Sequence, residues 1–263
     1  TAEVVGPALT GFLVQLLTAP VAILLDACSF LASAGAIAAI GTEEQAVDTD
    51  HNAGGWRDMF AGAGYVFRHP ILRPLALRAV TAAFFWGFFS TLYVIYAVRE
   101  LGIGPAALGI IIALGGISSL TGALLVGRIV RRFPLGHTMI AAAVLSGLAA
   151  LLIPLGTGPL WGAVCLAASQ LFGDISYPIY NVPELTLRQR IAPPHLLGRV
   201  NACMQMLFKG VWPIGALMGG VLAANIGMRM TLVICGLGVL ASSLWLVVSP
   251  VRRLDREPGL KDG

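Results

Sequence analysis

The sequence predicts an all-α membrane protein with eight transmembrane helices, and three observations carry that prediction. Hydrophobic residues make up 57% of the 263-residue chain, mean hydropathy is +0.84, and charged residues contribute only 11%. A soluble domain carries about 25% charged residues, so too little polar surface remains here to cover one. Apolar runs near the roughly 20 residues needed to cross a bilayer recur along the chain. The charges, finally, collect in short segments between those runs.

The runs cover 3–18 (short), 20–40, 74–98, 105–127, 137–156, 159–182, 202–226 and 229–249. Turn-forming residues separate several of them: "TAP" at 18–20, "GIGP" at 102–105 and "GTGP" at 156–159. The longest interruption, 41–73, has two parts. "GTEEQAVDTDHNAGG" is acidic and without periodicity, and reads as a flexible linker. "WRDMFAGAGYVFRHPILR" then sets Trp56, Met59, Phe60, Ala63, Val66 and Phe67 at helical spacing, with Arg57, Asp58 and Arg68 between them. That pattern predicts an amphipathic helix on the inner membrane surface; a plain tether is the alternative. The chain opens "TAEVVGPALTGFLV", without an initiator Met, a basic leader or a cleavage site, and is expected to start partway through a longer protein.

Basic residues orient the spans. With the first residue cytoplasmic, one side collects Arg57, Arg68, Arg73, Arg78, Arg128, Arg131, Arg132, Arg188, Arg190 and Arg199. The tail adds Arg252, Arg253, Arg256 and Lys261 to that side, against Arg99 and Arg229 on the other. An excess of Lys and Arg marks the cytoplasmic face, which puts both ends of the chain inside. The same scatter argues against a nucleic-acid partner, whose basic residues would form one stripe. Cys28, Cys165, Cys203 and Cys235 sit in separate apolar runs with no CxxC spacing and read as small buried hydrophobes.

Three ionisable residues fall well inside the runs: Asp26, Asp174 and Lys209. Charges at such depth usually face a bundle interior or a wet cavity. Asp174, in "QLFGDISYPIYN", and Lys209 lie about 10–12 Å from the same interface on consecutive antiparallel spans. They form either a static pair that fixes packing or a pair that breaks as a cavity opens. Asp26 has no cation of matching depth in this chain; it is a proton carrier, a carboxyl kept protonated by burial, or the partner of a residue on the preceding helices. On the third run Phe85, Phe89, Tyr93 and Tyr96 share one helical face, suited either to an aromatic cargo or to lipid contact. Gly115, Ser119, Ala123 and Gly127, and again Gly215, Gly219 and Ala223, recur every fourth residue and predict close helix seams. The chain carries no HExxH, GxxxxGK[ST] or GxSxG and no acidic metal cluster, so neither an enzyme nor a metal or cofactor site is expected.

Four stretches resemble the major facilitator superfamily, in particular bacterial exporters of the enterobactin and macrolide type. "VVGPALTGFL" resembles the Gly-Pro antiporter motif of the family's fifth helix through Gly6, Pro7 and Gly11, with Thr10 where Gly is common. "LLDACSFLASA", including Asp26, resembles the sixth helix, and "GYVFRHPILRPLAL" the approach to the seventh. "LTLRQRIAPPHLLGRVNA" resembles the loop between helices ten and eleven through Arg188, Gln189, Pro193, Leu197, Gly198, Arg199, Val200 and Asn201. "GRIVRRFPLGH" resembles the family's loop motif through Gly127, Arg132 and Gly136, although Arg131 occupies its acidic position.

The resemblance implies that the eight spans are helices five to twelve of a twelve-helix fold working by alternating access. Residues 1–40 would end the first bundle and 41–73 would be the cytoplasmic linker. Residues 74–249 would be the second six-helix bundle and 250–263 a cytoplasmic tail. It further implies a secondary active transporter of the bacterial inner membrane, exporting a small amphipathic drug or siderophore in exchange for protons. Its partners would be the lipid bilayer, the cargo, protons and four preceding helices. Three alternatives stand beside it: an uptake carrier or facilitator on the same fold, a fragment inactive alone, and a membrane-embedded lipid enzyme.

Overall fold

The computed structural model describes residues 19–38 and 56–254. These residues are helical apart from short turns, with no strand among them. Helix α1 covers Ala19–Ala38, α2 Trp56–Arg68, α3 Leu72–Ile95, α4 Pro105–Arg132 and α5 Leu135–Leu152. Helix α6 covers Gly158–Ile191, α7 Pro194–Ile226, α8 Met228–Ser242 and α9 Leu244–Val247. A π-helical turn, Tyr96–Glu100, extends α3, and 3₁₀ turns follow α5 and α9.

The turn residues act where the sequence places them. Pro105 and Pro159 stand in the first turns of α4 and α6, where a missing N–H costs nothing. Gly227 (φ +87°) lets α7 reverse into α8 within one residue. Among the described residues five helices are long and apolar enough to cross a membrane: Leu72–Glu100, Pro105–Arg132, Leu135–Leu155, Pro194–Ile226 and Met228–Val247. Helix α6 is not one of these, although it is 34 residues long. Gln170, Asp174, Asn181 and Glu184 lower its apolarity, and three of the four face a cavity described below.

Helices α3 and α7 pack along most of their length, as do α4 and α6. Helix α5 lies between α6 and α8, and α3 also meets α8. Glycines make the seams close. A Cβ on Gly87 would fall 2.6 Å from the Ala216 amide nitrogen, and one on Gly219 would fall 2.7 Å from the Phe88 Cα. Gly215 abuts the Phe84 carbonyl, and Gly147 abuts Leu240 of α8. Small residues here replace the hydrophobic drive that lipid cannot supply.

The seam on α4 departs from the expected stripe. Gly115, Ser118, Gly122 and Val126 are buried, whereas Ala123 and Gly127 are exposed. A helix turns about 100° per residue, so a strict four-residue repeat drifts off the contact by about 40° each step. The buried set follows the true helical period. Gly115 and Gly122 press on α6, and the Ser118 hydroxyl donates to the Leu171 carbonyl.

Helix α2, expected as an amphipathic helix on the inner membrane surface or a plain tether, is helical and docks one face on protein. Val66 is fully buried in a cluster with Leu72, Met139, Val200 and Leu246. A Cβ on Gly62 would fall 2.6 Å from the Arg199 carbonyl oxygen, and the Tyr65 hydroxyl donates to the Ile191 carbonyl at 3.0 Å. Helix α2 therefore braces the turn between α6 and α7. The expected run 3–18, with Gly6, Pro7 and Gly11, lies outside the described residues.

Candidate functional site: a charged and aromatic cavity

A cavity of about 620 Å³ opens among α3, α5, α6 and α7. Each helix contributes one stripe at helical spacing. Helix α3 supplies Leu75, Arg78, Ala79, Ala82 and Trp86, and α7 supplies Met204, Gln205, Phe208, Lys209 and Trp212. Helix α6 supplies Asp174, Ser176, Tyr177, Tyr180, Asn181, Glu184 and Arg188, while α5 gives only Ala142 and Ser146. The wall thus combines five charged side chains with five aromatic rings in a largely apolar setting.

Asp174 and Lys209, singled out in the sequence for their depth, both stand on this wall. Asp174 is half-buried, its carboxylate seated over Gly115 of α4, where only a glycine leaves room. Lys209 is exposed on α7. Asp26 belongs to α1, but its side chain lies outside the described residues.

The aromatic face of α3 is placed elsewhere. Phe85, Phe89, Tyr93 and Tyr96 are absent from the lining of this cavity and pack into the bundle. Phe85 closes on Gly238 of α8, and Tyr93 and Tyr96 are 6% and 1% exposed beside Leu101, Ile111 and Leu166. The Tyr96 hydroxyl donates to the Gly156 carbonyl at 3.3 Å. The Tyr93 hydroxyl is buried without a hydrogen-bond partner among the described residues, within electrostatic reach of Asp174. A shared periodicity tells which residues share a face but not which neighbour that face meets. The cavity-facing stripe of α3 is the one that carries Arg78 and Trp86.

A second polar group stands on the wall toward the α6–α7 turn. Glu184 and Arg188 form a buried ion pair one helical turn apart, with Arg188 Nε donating to Glu184 Oε1 at 3.2 Å and Nη2 to Oε2 at 2.5 Å. Arg188 Nη1 also donates to Asn201 Oδ1 at 3.1 Å, joining α6 to α7. The Arg78 guanidinium lies 3.5 Å from the centre of the Tyr180 ring, a cation–π contact across the cavity. Its Nε is buried without a hydrogen-bond partner among the described residues. Sequence reading grouped Arg78 and Arg188 with the loop cations and passed over Glu184. Spacing offered the signal, since Glu and Arg four residues apart on one helix face each other.

The remaining motif residues take peripheral places. Gly127 and Arg132 are in the last turns of α4, and Gly127 has no neighbouring atom where a Cβ would stand. Gln189 and Gly198 are exposed on either side of the α6–α7 turn, where the Arg199 carbonyl receives α2. Among the described residues no cluster of three or more metal-ligating side chains occurs.

Among the described residues, membrane-length helices packed on glycine seams surround a cavity of mixed charge and aromaticity, the architecture of a multi-pass membrane protein. The chain belongs to the Major Facilitator Superfamily, whose profile matches residues 1–214. It is 29% identical to the multidrug efflux pump Tap of Mycolicibacterium fortuitum, over 96% of this chain and 61% of that protein. Tap of Mycobacterium tuberculosis (strain ATCC 25618 / H37Rv) is also 29% identical, over 98% of this chain and 61% of that pump. The enterobactin exporter EntS of Citrobacter koseri is 29% identical over 79% of this chain and 49% of the exporter. The chain spans about three-fifths of the length of the Tap pumps it matches. Family and membrane-length helices agree in a multi-pass inner-membrane protein.

Proposed function

We propose that the protein is a secondary active exporter of a small amphipathic molecule, coupled to proton entry and working by alternating access. In this reading the chain supplies helices five to twelve of a twelve-helix fold. Residues 74–249 are its second bundle, 41–73 the cytoplasmic linker, and both ends of the chain face the cytoplasm. The single observation that carries it is the cavity of about 620 Å³ with Asp174 and Lys209 on one wall. Intramembrane charges on a wetted wall are the groups that proton transfer requires, and the adjoining rings suit an amphipathic cargo. Similarity to an efflux pump and to an exporter supports the outward direction. Asp174, Lys209 and Asp26 are the coupling residues of this reading.

The test is export by the intact protein in Asp174→Asn, Lys209→Met and the double variant, at matched expression, with and without a proton gradient. Coupled transport requires that collapse of the gradient stops wild-type export and that the double variant stays inactive while folding normally. Flux that ignores the gradient refutes the coupling. Recovery in the double variant reduces Asp174 and Lys209 to a packing pair.

A further inference from the structure

The charges on the cavity wall point to a class of cargo. Arg78, Arg188 and Lys209 line it together with Asp174 and Glu184. Arg188 and Glu184 satisfy each other in a bidentate pair. Arg78 meets a different environment. Its guanidinium rests on the Tyr180 ring, which holds the planar group in a fixed attitude, and its Nε is buried without a hydrogen-bond partner among the described residues. Arg78 also lines the cavity, and a carboxylate or phosphate is the ligand whose geometry fits a guanidinium.

A second cation, Lys209, lines the same cavity. Phe84 abuts Gly215 and Phe88 abuts Gly219, so numbering rises together along α3 and α7 and the two helices run parallel. Both helices line the cavity. Beside them Trp86 comes from α3, and Phe208 and Trp212 from α7, with the last two rings 5.7 Å apart. Flat aromatic surface therefore adjoins paired positive charge.

We infer that the cavity recognises an amphipathic organic anion, whose acidic group binds between Arg78 and Lys209 and whose ring system lies against Trp86, Phe208 and Trp212. The inference rests on reading this cavity as the cargo site, and it goes further by excluding cationic amphiphiles as preferred ligands. Arg78 recognises the anion; Tyr180 is its positioning residue.

Two dyes on the same xanthene frame test it, carboxyfluorescein as the anion and rhodamine 6G as the cation. Binding to the purified intact protein is read by fluorescence anisotropy, alongside thermal unfolding of each variant. The wild type should bind carboxyfluorescein more tightly. Arg78→Gln should weaken that binding by about tenfold or more, the scale of a lost charged hydrogen bond, while rhodamine 6G changes less than about twofold on the same scale. Arg78→Lys should recover part of the loss. Lys209→Gln, on an exposed position, should give a smaller loss and serves as the probe if Arg78→Gln does not fold. A wild type that holds rhodamine 6G as tightly as carboxyfluorescein overturns the inference, as does an Arg78→Gln variant that weakens both dyes alike or neither. Anion preference without gradient-driven export would refute the coupling alone, and binding of neither dye would refute the cavity as the cargo site.

Discussion

Removing Glu184 isolates a buried cation, and the structure sets the size of the effect. The Glu184 and Arg188 side chains are 6% and 11% exposed, so neither can turn to bulk solvent when its partner is lost. Breaking a buried ion pair from one side costs about 3–5 kcal/mol. The lower end applies to Glu184→Leu, because Asn201 still accepts from Arg188 Nη1 and the pair borders the cavity. A cost of about 3 kcal/mol lowers the unfolding midpoint of a chain this size by roughly 6–12 °C. Replacing both partners, as Glu184→Leu with Arg188→Met, removes the charges together and should fall within about 1 kcal/mol of wild type. Intrinsic tryptophan fluorescence during heating in detergent gives the four midpoints of the cycle. A double variant whose loss equals the sum of the two single losses would show that the charges do not act as a pair, and would sink the reasoning.

Gly215→Ala should destabilise by about 1–3 kcal/mol through overpacking against Phe84. Gly220→Ala, where a Cβ meets only the Thr91 Cγ2 at 3.9 Å, should be neutral or slightly stabilising in the same melt. Arg229 donates from Nε to the Pro154 carbonyl at 2.7 Å and from Nη2 to the Gly156 carbonyl at 2.8 Å. Arg229→Ala should therefore cost about 1–2 kcal/mol after allowance for its exposure, and Arg229→Lys should restore only part. His69 Nδ1 accepts from the Ile71 and Leu72 amides at 3.2 and 3.4 Å, capping the start of α3 as a neutral ring. Burial lowers its pKa, so its contribution is complete above the ordinary histidine value and is lost as pH falls through the lowered one. His69→Ala should cost about 0.5–2 kcal/mol at neutral pH and less in acid; an equal loss at both would refute the cap.

Much of the bundle is legible in the sequence because lipid imposes one rule on every span. The starts of α4 and α6 fall at Pro105 and Gly158, beside the turn residues that predict them. Asp174 and Lys209 stand out in the sequence as charges within apolar runs, and both line the cavity. Helix rotation is less legible. Phe85 and Tyr93 stand out on α3 by their size, yet Arg78 and Trp86 are on the stripe that meets the cavity. Rotation is set by which glycines meet which backbones, as Gly215 meets Phe84, and that is a property of two helices at once. Glu184 escaped notice because it lies just past the apolar run, where a carboxylate reads as an ordinary solvated residue.

The carbonyl of Gly156 accepts from two directions, from Tyr96 at the end of α3 and from Arg229 at the start of α8. Arg229 also reaches Pro154, so the segment between α5 and α6 is tied to two further helices through a few atoms. Every cavity-lining stretch of α3, α6 and α7 lies toward the other end, near the α6–α7 turn. That tie has a counterpart at the opposite end, where α2 and the Arg188–Asn201 bond brace the α6–α7 turn over a buried apolar cluster. The cavity wall is therefore held like the staves of a cask, hooped near both ends.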